Sequence, residues 1–441
     1  MKLSHFNKKP TFEQHDNEDI NYYQFSSSKI KLEREFEEKL KIDICIVGGG
    51  LTGISSAVYL AKKGFNVIVL EARNIGWGAS GRNGGQLGGG LRKEQKILEN
   101  KLGTQHALEL WKMSLEAVDE VLRNINKYNI ECDLQNGVLT AGYYKNDEKY
   151  FIEEKEYLQK KYNYNEYIYF NNKEIREQIN SKKYYSGLLN KGSYHLHPLK
   201  YLYGLTKEAL KLNIKIYENT PVKEIIETTN GVKIITQNNI IHANHAVVGC
   251  NGYLDNLLGN VRKKFMPINN YILATKPLGK EKALSLIKNN YAVCDTRFII
   301  DYYRLSSDWR MLFGGGETLT GNYLKHPLSF VKKRMSNVFP ELKEYDVDFC
   351  WGGTLAITIS RFPNFGSIKN NKIIYAHGYS GHGLALTTLA GKLIAEYLSG
   401  EQERFNFFSS IPHISIPAGD LFRRPAYSLG VAYYKLRDFI H

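Results

Sequence analysis

The sequence predicts an α/β protein in which a Rossmann-like nucleotide-binding domain is interleaved with an α+β domain built on an antiparallel sheet. Three observations support this fold class. A strand, a glycine-rich turn, a helix and a second strand follow one another between residues 41 and 71. Apolar strand patterns ending in glycine turns return at residues 246–252 and 372–383. Between these returns, residues 271–314 contain short strand patterns typical of an antiparallel sheet.

The first strand and its turn carry the clearest motif. The run from Lys41 to Val47 is apolar and rich in β-branched residues, so it predicts a buried strand. The next residues fit G-x-G-x-x-G, with glycines at 48, 50 and 53. The first glycine allows a tight turn, the second lets a pyrophosphate approach the backbone, and the third lets the helix pack on the sheet. A helix predicted over residues 54–63 would direct its N-terminal N–H groups at the phosphates.

The second strand, residues 65–70, ends at a carboxylate. Glu71 follows the last motif glycine by eighteen residues, where a carboxylate accepts hydrogen bonds from ribose hydroxyls. A negative charge at this position repels a 2′-phosphate, which argues against NADP. A glycine-rich turn in another kind of α/β protein is the alternative interpretation, but it does not explain strand, helix and acid in register.

The segment from Gly76 to Gln86 has five glycines in eleven residues. Such a backbone forms neither a stable helix nor a stable strand, but it can lie close against a flat or charged group. Arg82 and Asn83 add hydrogen-bond donors. Its position directly after the second strand favours a segment that lies along a cofactor over a flexible loop.

The remaining elements follow in order, and they define the domain organisation. We predict helices over 99–130, 199–212, 330–339 and 384–398, with strands at 137–143, 214–217, 222–227, 232–236, 240–242, 271–275, 291–295, 298–305 and 311–314. The nucleotide-binding domain then comprises 41–98, 186–258 and 346–400, and the second domain 99–185 and 259–345. Residues 1–40 form an N-terminal extension with an aromatic patch at Tyr22–Ser26, and 401–441 a basic amphipathic tail.

Composition excludes several classes of protein. The net charge of +14 comes from lysines scattered along 441 residues, which argues against a nucleic-acid-binding protein. The five cysteines form no C-x-x-C pair and no metal-binding spacing, so we expect no metal site and a reducing compartment. No signal peptide and no run of about twenty apolar residues is visible, and we therefore expect a cytoplasmic protein. The tail is expected to pack on the body, with a partner subunit or an acidic membrane surface as alternatives.

The number of glycine motifs restricts the cofactor. Only one G-x-G-x-x-G is present, since Gly314–Gly316 lacks the third glycine, so the chain is expected to bind one dinucleotide. The predicted nucleotide-binding domain is interrupted twice and closes with the second turn, Gly378–Gly383. This arrangement suits FAD better than NAD.

The motifs together resemble a known family. They are Ile44–Gly50, Gly76–Gln86, His195–Leu199, Asp301–Arg304, Trp351–Gly353, Gly378–Gly383, Arg424–Ala426 and the pair Tyr22-Tyr23. The chain resembles the D-amino-acid oxidase superfamily of FAD-dependent amine oxidoreductases from about residue 20 onward. Within it, the chain is most similar to the gamma-glutamylputrescine oxidoreductases.

The resemblance implies a role for each motif. The glycine turn with the helix N-terminus would hold the FAD pyrophosphate, and the residues after the second strand the adenosine ribose. The segment after Trp77 would run along the flavin, Val222 would contact the adenine through its backbone, and the second glycine turn would lie at the pyrimidine edge of the isoalloxazine. The implied cofactor-binding residues are Gly48, Gly50, Leu51, Thr52, Gly53, Glu71, Ala72, Arg73, Ala79, Ser80, Arg82, Asn83, Gly84, Gly85, Gln86, Val222, Gly381, His382, Gly383 and Leu384.

Two departures from sarcosine oxidases of this superfamily bear on cofactor attachment and substrate. Their flavin-linking cysteine aligns near Leu355, and Cys350 is five residues away, so we expect FAD to be non-covalent. Their carboxylate-binding lysine corresponds to Ala385. This residue argues against a small N-methyl amino acid as substrate.

The expected activity is oxidation of a primary or secondary amine to an imine, with electrons passing to oxygen or another acceptor. His382, with the N-terminus of the last helix, would stabilise the reduced cofactor. Tyr302 and Arg304 are the substrate-side candidates, Arg304 for a carboxylate, although an ordinary strand explains them equally well. The alternatives are an oxidase of D- or N-substituted amino acids, a tRNA-modifying flavoenzyme with a basic surface, and a non-catalytic FAD-stabilised assembly protein.

Overall fold

A computed structural model of the chain describes residues 21–32, 42–316, 323–324 and 326–415. Its strands, in chain order, are β1 (Ile42–Val47), β2 (Val67–Leu70), β3 (Gln86–Leu87), β4 (Gln135–Gly142), β5 (Tyr167–Phe170), β6 (Ser186–His195), β7 (Lys215–Tyr217), β8 (Glu224–Thr228), β9 (Gly231–Ile235), β10 (Ile240–Val248), β11 (Phe265–Thr275), β12 (Ala292–Asp295), β13 (Asp301–Leu305), β14 (Met311–Gly315), β15 (Val347–Thr358), β16 (Asn364–Ile368) and β17 (Ile373–His377). Its α-helices are α1 (Tyr22–Phe25), α2 (Leu51–Lys62), α3 (Gln95–Leu102), α4 (Thr104–Lys127), α5 (Asp147–Tyr162), α6 (Asn172–Gln178), α7 (Pro198–Lys211), α8 (Gly259–Arg262), α9 (Lys280–Leu286), α10 (Leu328–Val338), α11 (Gly383–Leu398) and α12 (Glu403–Ser409).

The first sheet has the parallel core of a Rossmann-like fold. Five strands run parallel in the order β17-β10-β1-β2-β7, and β16 pairs with β17 as an antiparallel edge. The antiparallel pair β8–β9 extends from β10. Five of the six β1 residues are buried hydrophobic residues, as a central parallel strand requires. The predicted nucleotide-binding sheet is therefore present.

Helices α2 and α11, each of which follows a glycine-rich turn, lie against this sheet and against each other. A Cβ atom added at Gly391 of α11 would lie 2.5 Å from the backbone nitrogen of Ser56 in α2. The absence of a side chain at Gly391 therefore lets the two helices approach closely. Helix α4 also packs on α11, where Lys392 forms ion pairs with Glu116 (2.7 Å) and Glu120 (3.1 Å).

The second sheet has the order β15-β11-β14-β13-β12-β4-β6-β3, with β5 attached to β6. Its neighbours are antiparallel, as expected, except that β4 and β12 run parallel. Its own hydrophobic core includes Tyr271, Tyr303, Phe313 and Phe339, all of which are fully buried. The fold is thus a Rossmann-like sheet joined to a mainly antiparallel one.

The N-terminal aromatic patch forms the short helix α1, which is docked on the body. Tyr22 and Tyr23 are buried, and the side chain of Asn21 caps the helix with Gln24 in a capping box. Tyr23 lies edge-on against Trp351 at 5.5 Å between ring centroids. Residues 33–41 of the chain, and the end of the basic tail from residue 416, lie outside the described residues.

The structure differs from the sequence predictions at several places, of which three bear on the domain organisation. The helix predicted over 99–130 is two helices, because Gly103, between α3 and α4, has a φ of +85° that ends the first. Strands β6 and β15, which we assigned to the nucleotide-binding domain, belong to the second sheet. Helix α4, which we assigned to the second domain, packs with the helices of the first sheet. The domain boundaries themselves remain a prediction.

Candidate active site

A cavity of about 2090 Å³ is lined by residues of both sheets and by the turns at the carboxyl ends of β1, β2, β10 and β17. Ligands of open α/β sheets bind at this edge. Every cofactor residue predicted above lines the cavity except Gly53 and Arg73. Gly53 lies behind the cavity lining, where it allows α2 to pack closely on the glycine turn, because a Cβ atom there would lie 1.9 Å from the carbonyl oxygen of Gly48. Arg73 contributes its backbone N–H to Glu71 and lies over the Trp77 ring.

The first glycine turn leaves a helix N-terminus facing the cavity. Gly48 has a φ of +108°, which favours glycine, and Gly50, the N-cap residue of α2, has no side chain with which to cap the helix. The Leu51 N–H donates to Ser80 Oγ at 2.9 Å. The hydroxyl oxygen thus marks a position near the helix N-terminus where an oxygen of an anion could accept a hydrogen bond. A Cβ atom at Gly50 would lie 2.8 Å from the same hydroxyl. The turn is therefore shaped for close approach by a ligand.

Glu71 connects the glycine turn to the segment after β2. Its carboxylate accepts hydrogen bonds from the backbone N–H groups of Gly49 (2.6 Å) and Arg73 (2.8 Å). Burial raises the pKa of Glu71, although these two backbone donors oppose the shift. A carboxylate has about four acceptor positions, so two remain for ribose hydroxyls.

The segment 76–86 is held in place from several sides. The Arg82 guanidinium donates to the carbonyl oxygens of Trp77 (2.6 Å) and Gly352 (3.0 Å), and the Trp351 indole N–H donates to the Arg82 carbonyl at 3.2 Å. The Asn83 side chain bonds the backbone of Ala79 and Gly85, closing the turn on itself. These bonds give a glycine-rich segment a single defined path along the cavity.

Arg304 and Tyr23 hold the 76–86 segment through hydrogen bonds to its carbonyl groups. Arg304 donates to the carbonyl oxygens of Gly84 (2.9 Å) and Leu305 (3.2 Å) and to Tyr23 Oη (3.2 Å), and only 3% of it is exposed. Tyr23 in turn donates to the Asn83 carbonyl at 2.8 Å. Arg304 does not line the cavity, so this placement disagrees with the carboxylate-binding role considered from the sequence. The contacts make it a positioning residue for the segment.

Tyr302 lines the cavity on the face of β13 beside Gly84 and Gly314. Its hydroxyl donates to Asn270 Oδ1 at 2.6 Å, and a Cβ atom at either glycine would collide with its ring. Burial raises the pKa of Tyr302 above its ordinary value. The side chain is therefore a protonated wall residue rather than a base.

The second glycine turn brings His382 and α11 to the cavity. His382 is the N-cap residue of α11 but makes no side-chain cap, and its buried Nδ1 has no hydrogen-bond partner among the described residues. Burial, assisted by the positive charge of Arg92, lowers the pKa of His382 to about 3. The two glycine turns are tied together by a hydrogen bond of 2.8 Å between Thr52 Oγ1 and the Tyr379 hydroxyl.

Two histidines near α7 have structural roles. His197 caps the helix by accepting from the Lys200 N–H at 3.1 Å, with Pro198 at the first position. His195 bonds the Asn290 carbonyl at 2.7 Å. Burial lowers the pKa of both to about 3, so they are uncharged at neutral pH.

The wall opposite the first sheet carries charges that neutralise one another. Arg297 contacts both Asp295 and Asp301, and Arg334 contacts Asp301 from the other side. Burial raises the pKa of Asp295 to about 7, although the Arg297 charge opposes the shift. This network satisfies its own charges.

Several lining residues were not predicted as site residues. Cys250, Asn251 and Tyr253 follow β10, and Trp77 lies in the glycine-rich segment. The glycine turn at 249–252 was visible in the sequence, but only the parallel pairing of β10 with β1 places it beside Gly48. The Tyr253 hydroxyl accepts from the Thr354 N–H at 2.9 Å, a contact between distant parts of the chain.

The donor set of the cavity fits FAD. Two helix N-termini without side-chain caps, α2 and α11, provide N–H groups at two places along it. A carboxylate with acceptor capacity left lies beside the first, and an unpartnered imidazole nitrogen lies beside the second. Among the described residues, no group of three or more metal-ligating side chains is present, and no helix is long and apolar enough to cross a bilayer.

Comparison with known proteins gives matching relatives. A family model described as "DAO: FAD dependent oxidoreductase" matches residues 43–397. The chain is 37% identical over 420 residues to the gamma-glutamylputrescine oxidoreductase of Escherichia coli K12, covering 95% of this chain and 97% of that protein. It is 36% identical over 400 residues to the probable oxidoreductase OrdL of Haemophilus influenzae, covering 90% and 92%. The solved glycine oxidase of Bacillus cereus has a TM-score of 0.68 at 19% identity, covering 84% and 98%, which shows the fold.

Proposed function

The chain belongs to the DAO family of FAD-dependent oxidoreductases, and we propose from this premise that it oxidises gamma-glutamylputrescine or a closely similar amine. FAD-dependent amine oxidation follows from the family and from the relatives. The 37% identity over 95% of the chain supports the narrower substrate class. The observation that carries the proposal furthest is that Ala385, buried and lining the cavity, offers no charge for a substrate carboxylate beside the second glycine turn.

The reaction removes two electrons and two protons from the substrate. One C–H bond beside the amine nitrogen and one N–H bond break, and a C=N bond forms. When bound, FAD would supply the two-electron acceptor for this oxidation, with oxygen or another compound as the final acceptor. The imine reacts with water to give an aldehyde and releases ammonia.

The residues of this chain bind and orient rather than exchange protons. Tyr302 keeps its proton because burial raises its pKa, and His382 is neutral because burial and Arg92 lower its pKa to about 3. Neither side chain is a general base at neutral pH. We propose that the amine reacts in its uncharged form, which burial in the cavity favours.

The cofactor end is held by backbone groups. The N-terminus of α2 and Glu71 would bind the pyrophosphate and the ribose, and the 76–86 segment would fix the flavin. The N-terminus of α11 would stabilise negative charge on the flavin through its N–H groups, because a neutral His382 contributes a hydrogen bond but no charge. FAD is proposed to be non-covalent.

An anaerobic absorbance titration tests the proposal. The yellow holoenzyme is expected to bleach with gamma-glutamylputrescine and to stay yellow with sarcosine or D-alanine. Bleaching with an amino acid alone would keep the family and refute the amine substrate. A holoenzyme that bleaches with neither would support the assembly-protein alternative.

A further inference from the structure

The outer part of the cavity is a cleft between the residues that lead into α3 and one face of α5. Asp147, Tyr150, Glu154 and Leu158 of α5 line the cavity, and their spacing of three and four residues places them on one helix face. Residues 92–95 and 97 line the opposite side. Hydrogen bonds from Tyr157 and Tyr162 to Glu99 join the two helices at the back.

Glu154 is a carboxylate without a partner in this cleft. Among the described residues it makes no hydrogen bond and no ion pair within 4 Å, and Lys96 attracts it only at longer range. Its neighbour Glu153 lies on the outer side of α5 and pairs with Lys149 at 3.8 Å. A carboxylate that faces a cavity unpaired is available to a cation in solution, whereas Asp295 and Asp301 are occupied by arginines.

The surroundings of Glu154 favour an organic ammonium group. Tyr150, one turn earlier, and Tyr167 of β5 both line the cavity and interact electrostatically with Glu154. Aromatic faces beside a carboxylate stabilise an alkylammonium ion through cation–π attraction. Burial and repulsion from Glu94 raise the pKa of Glu154 to about 7, as expected for a carboxylate that lacks its cation.

The other side of the cleft is mainly positive, because Glu94 lines it together with the cations Arg92, Lys93 and Arg361. Lys93 and Arg361 line the cavity, and burial with repulsion from Arg361 and Lys101 lowers the pKa of Lys93. Arg92 interacts with His382 at the inner end of the cavity and with Cys294 on its wall. The cleft therefore presents both charge signs and is continuous with the reaction end.

We infer that this cleft binds the α-amino acid end of the substrate, with Glu154 and Tyr150 taking its ammonium group and Lys93 its carboxylate. The inference rests on the proposed function, since gamma-glutamylputrescine carries these two charges on one carbon at the end opposite the reacting amine. Because the unpaired carboxylate of Glu154 and the ammonium group of Lys93 both line the cleft, a zwitterion fits better than a simple diamine or a neutral amide.

The test removes one partner of the proposed ion pair, either the carboxylate charge of Glu154 or the α-ammonium group of the substrate. Steady-state kcat and KM are measured for gamma-glutamylputrescine and for N-glutarylputrescine, which lacks only the α-ammonium group. Glu154→Gln is compared with wild type and with Glu153→Gln, its outward-facing neighbour. Glu154→Gln is expected to raise KM for gamma-glutamylputrescine by about tenfold, the size of one charge-assisted hydrogen bond, with kcat retained.

Four results separate the outcomes. Support requires that Glu154→Gln change KM for N-glutarylputrescine by less than about twofold and that Glu153→Gln change neither KM. Equal loss on both substrates would show a structural effect and overturn the inference, as would no loss on either. Wild-type enzyme that oxidises neither compound would instead refute the proposed function. The flavin absorbance of each purified variant is also measured, so that a variant that has lost FAD is distinguished from one with weaker substrate binding.

Discussion

At the scale of the residue, the hydroxyl of Tyr23 links the N-terminal extension to the 76–86 segment. Tyr23→Phe leaves the Asn83 carbonyl without this donor and Arg304 without one acceptor. Losing such buried hydrogen bonds costs about 1–3 kcal/mol. We expect the Kd for FAD to rise by about tenfold, as measured by quenching of FAD fluorescence on titration with apoprotein.

The neighbouring tyrosine is the matched control for this prediction. Tyr22 is equally buried, but its hydroxyl donates to Asp308 at 2.6 Å, outside the 76–86 segment. Tyr22→Phe should lower Tm by about as much as Tyr23→Phe does, because each variant loses a buried hydrogen bond. It should change the Kd for FAD by less than about twofold. Equal changes in FAD affinity for the two variants would show that Tyr23 acts only through stability.

The same scale gives a prediction about pH. Because neither Tyr302 nor His382 titrates near neutrality, kcat/KM should follow deprotonation of the substrate amine, whose pKa is about 10. We expect kcat/KM to rise about tenfold per pH unit between pH 8 and 9.5, above the range in which Glu154 and Asp295 ionise. Initial rates at low substrate measure it. A plateau above pH 7 would point to an imidazole base.

Residue roles were the least predictable part of the site. The alternation Tyr302, Arg304 in β13 placed both side chains on one face, but the sequence did not show that the 84–85 loop covers Arg304. That loop crosses β13 only because of contacts between residues more than 200 positions apart. The glycine motifs were predictable because each glycine meets a local requirement of the backbone, such as a tight turn or a close approach.

At the scale of the element, the contact between α2 and α11 depends on one glycine. Gly391→Ala would force the helices apart, since its Cβ atom would lie 2.5 Å from a backbone nitrogen of α2. Overpacking of this kind costs about 1–3 kcal/mol. We expect a lower free energy of unfolding in urea and weaker FAD binding, because both helices begin at the cavity.

Gly259→Ala is the corresponding control. Gly259 opens the short helix α8, and nothing lies within 4 Å of a Cβ atom placed there. This variant should unfold at or slightly above the wild-type urea concentration. If Gly391→Ala unfolds at the wild-type midpoint as well, the close approach of the two helices does not limit stability.

Elements were predicted well where the pattern was local. The strand, turn and helix at 42–62 and at 373–398 lie within a few residues of their predicted bounds. The break at Gly103 was missed because the apolar periodicity continues from α3 into α4. The parallel pairing of β4 with β12 was missed because strand direction depends on which strands become neighbours.

At the scale of the whole molecule, the expectation of non-covalent FAD has a direct test. Leu355 lines the cavity where related enzymes carry a linking cysteine, all five cysteines are free, and Cys350 lies outside the cavity lining. Precipitating the holoenzyme with trichloroacetic acid should therefore leave all flavin absorbance in the supernatant. Yellow colour in the pellet would indicate attachment, with Cys250 and Cys294 as the cavity-lining cysteines.

The interleaving of the two sheets also sets the order in which this enzyme can mature. Thr52 and Tyr379 share a hydrogen bond across 327 positions of sequence, so the first glycine turn meets its partner only near the end of translation. Until β17 and α11 leave the ribosome, the part of α2 that packs on α11 has no cover, and a nascent chain exposes it to chaperones. We therefore expect FAD to bind only after synthesis has passed residue 398, and a chain truncated before residue 373 to lack the second glycine turn and α11.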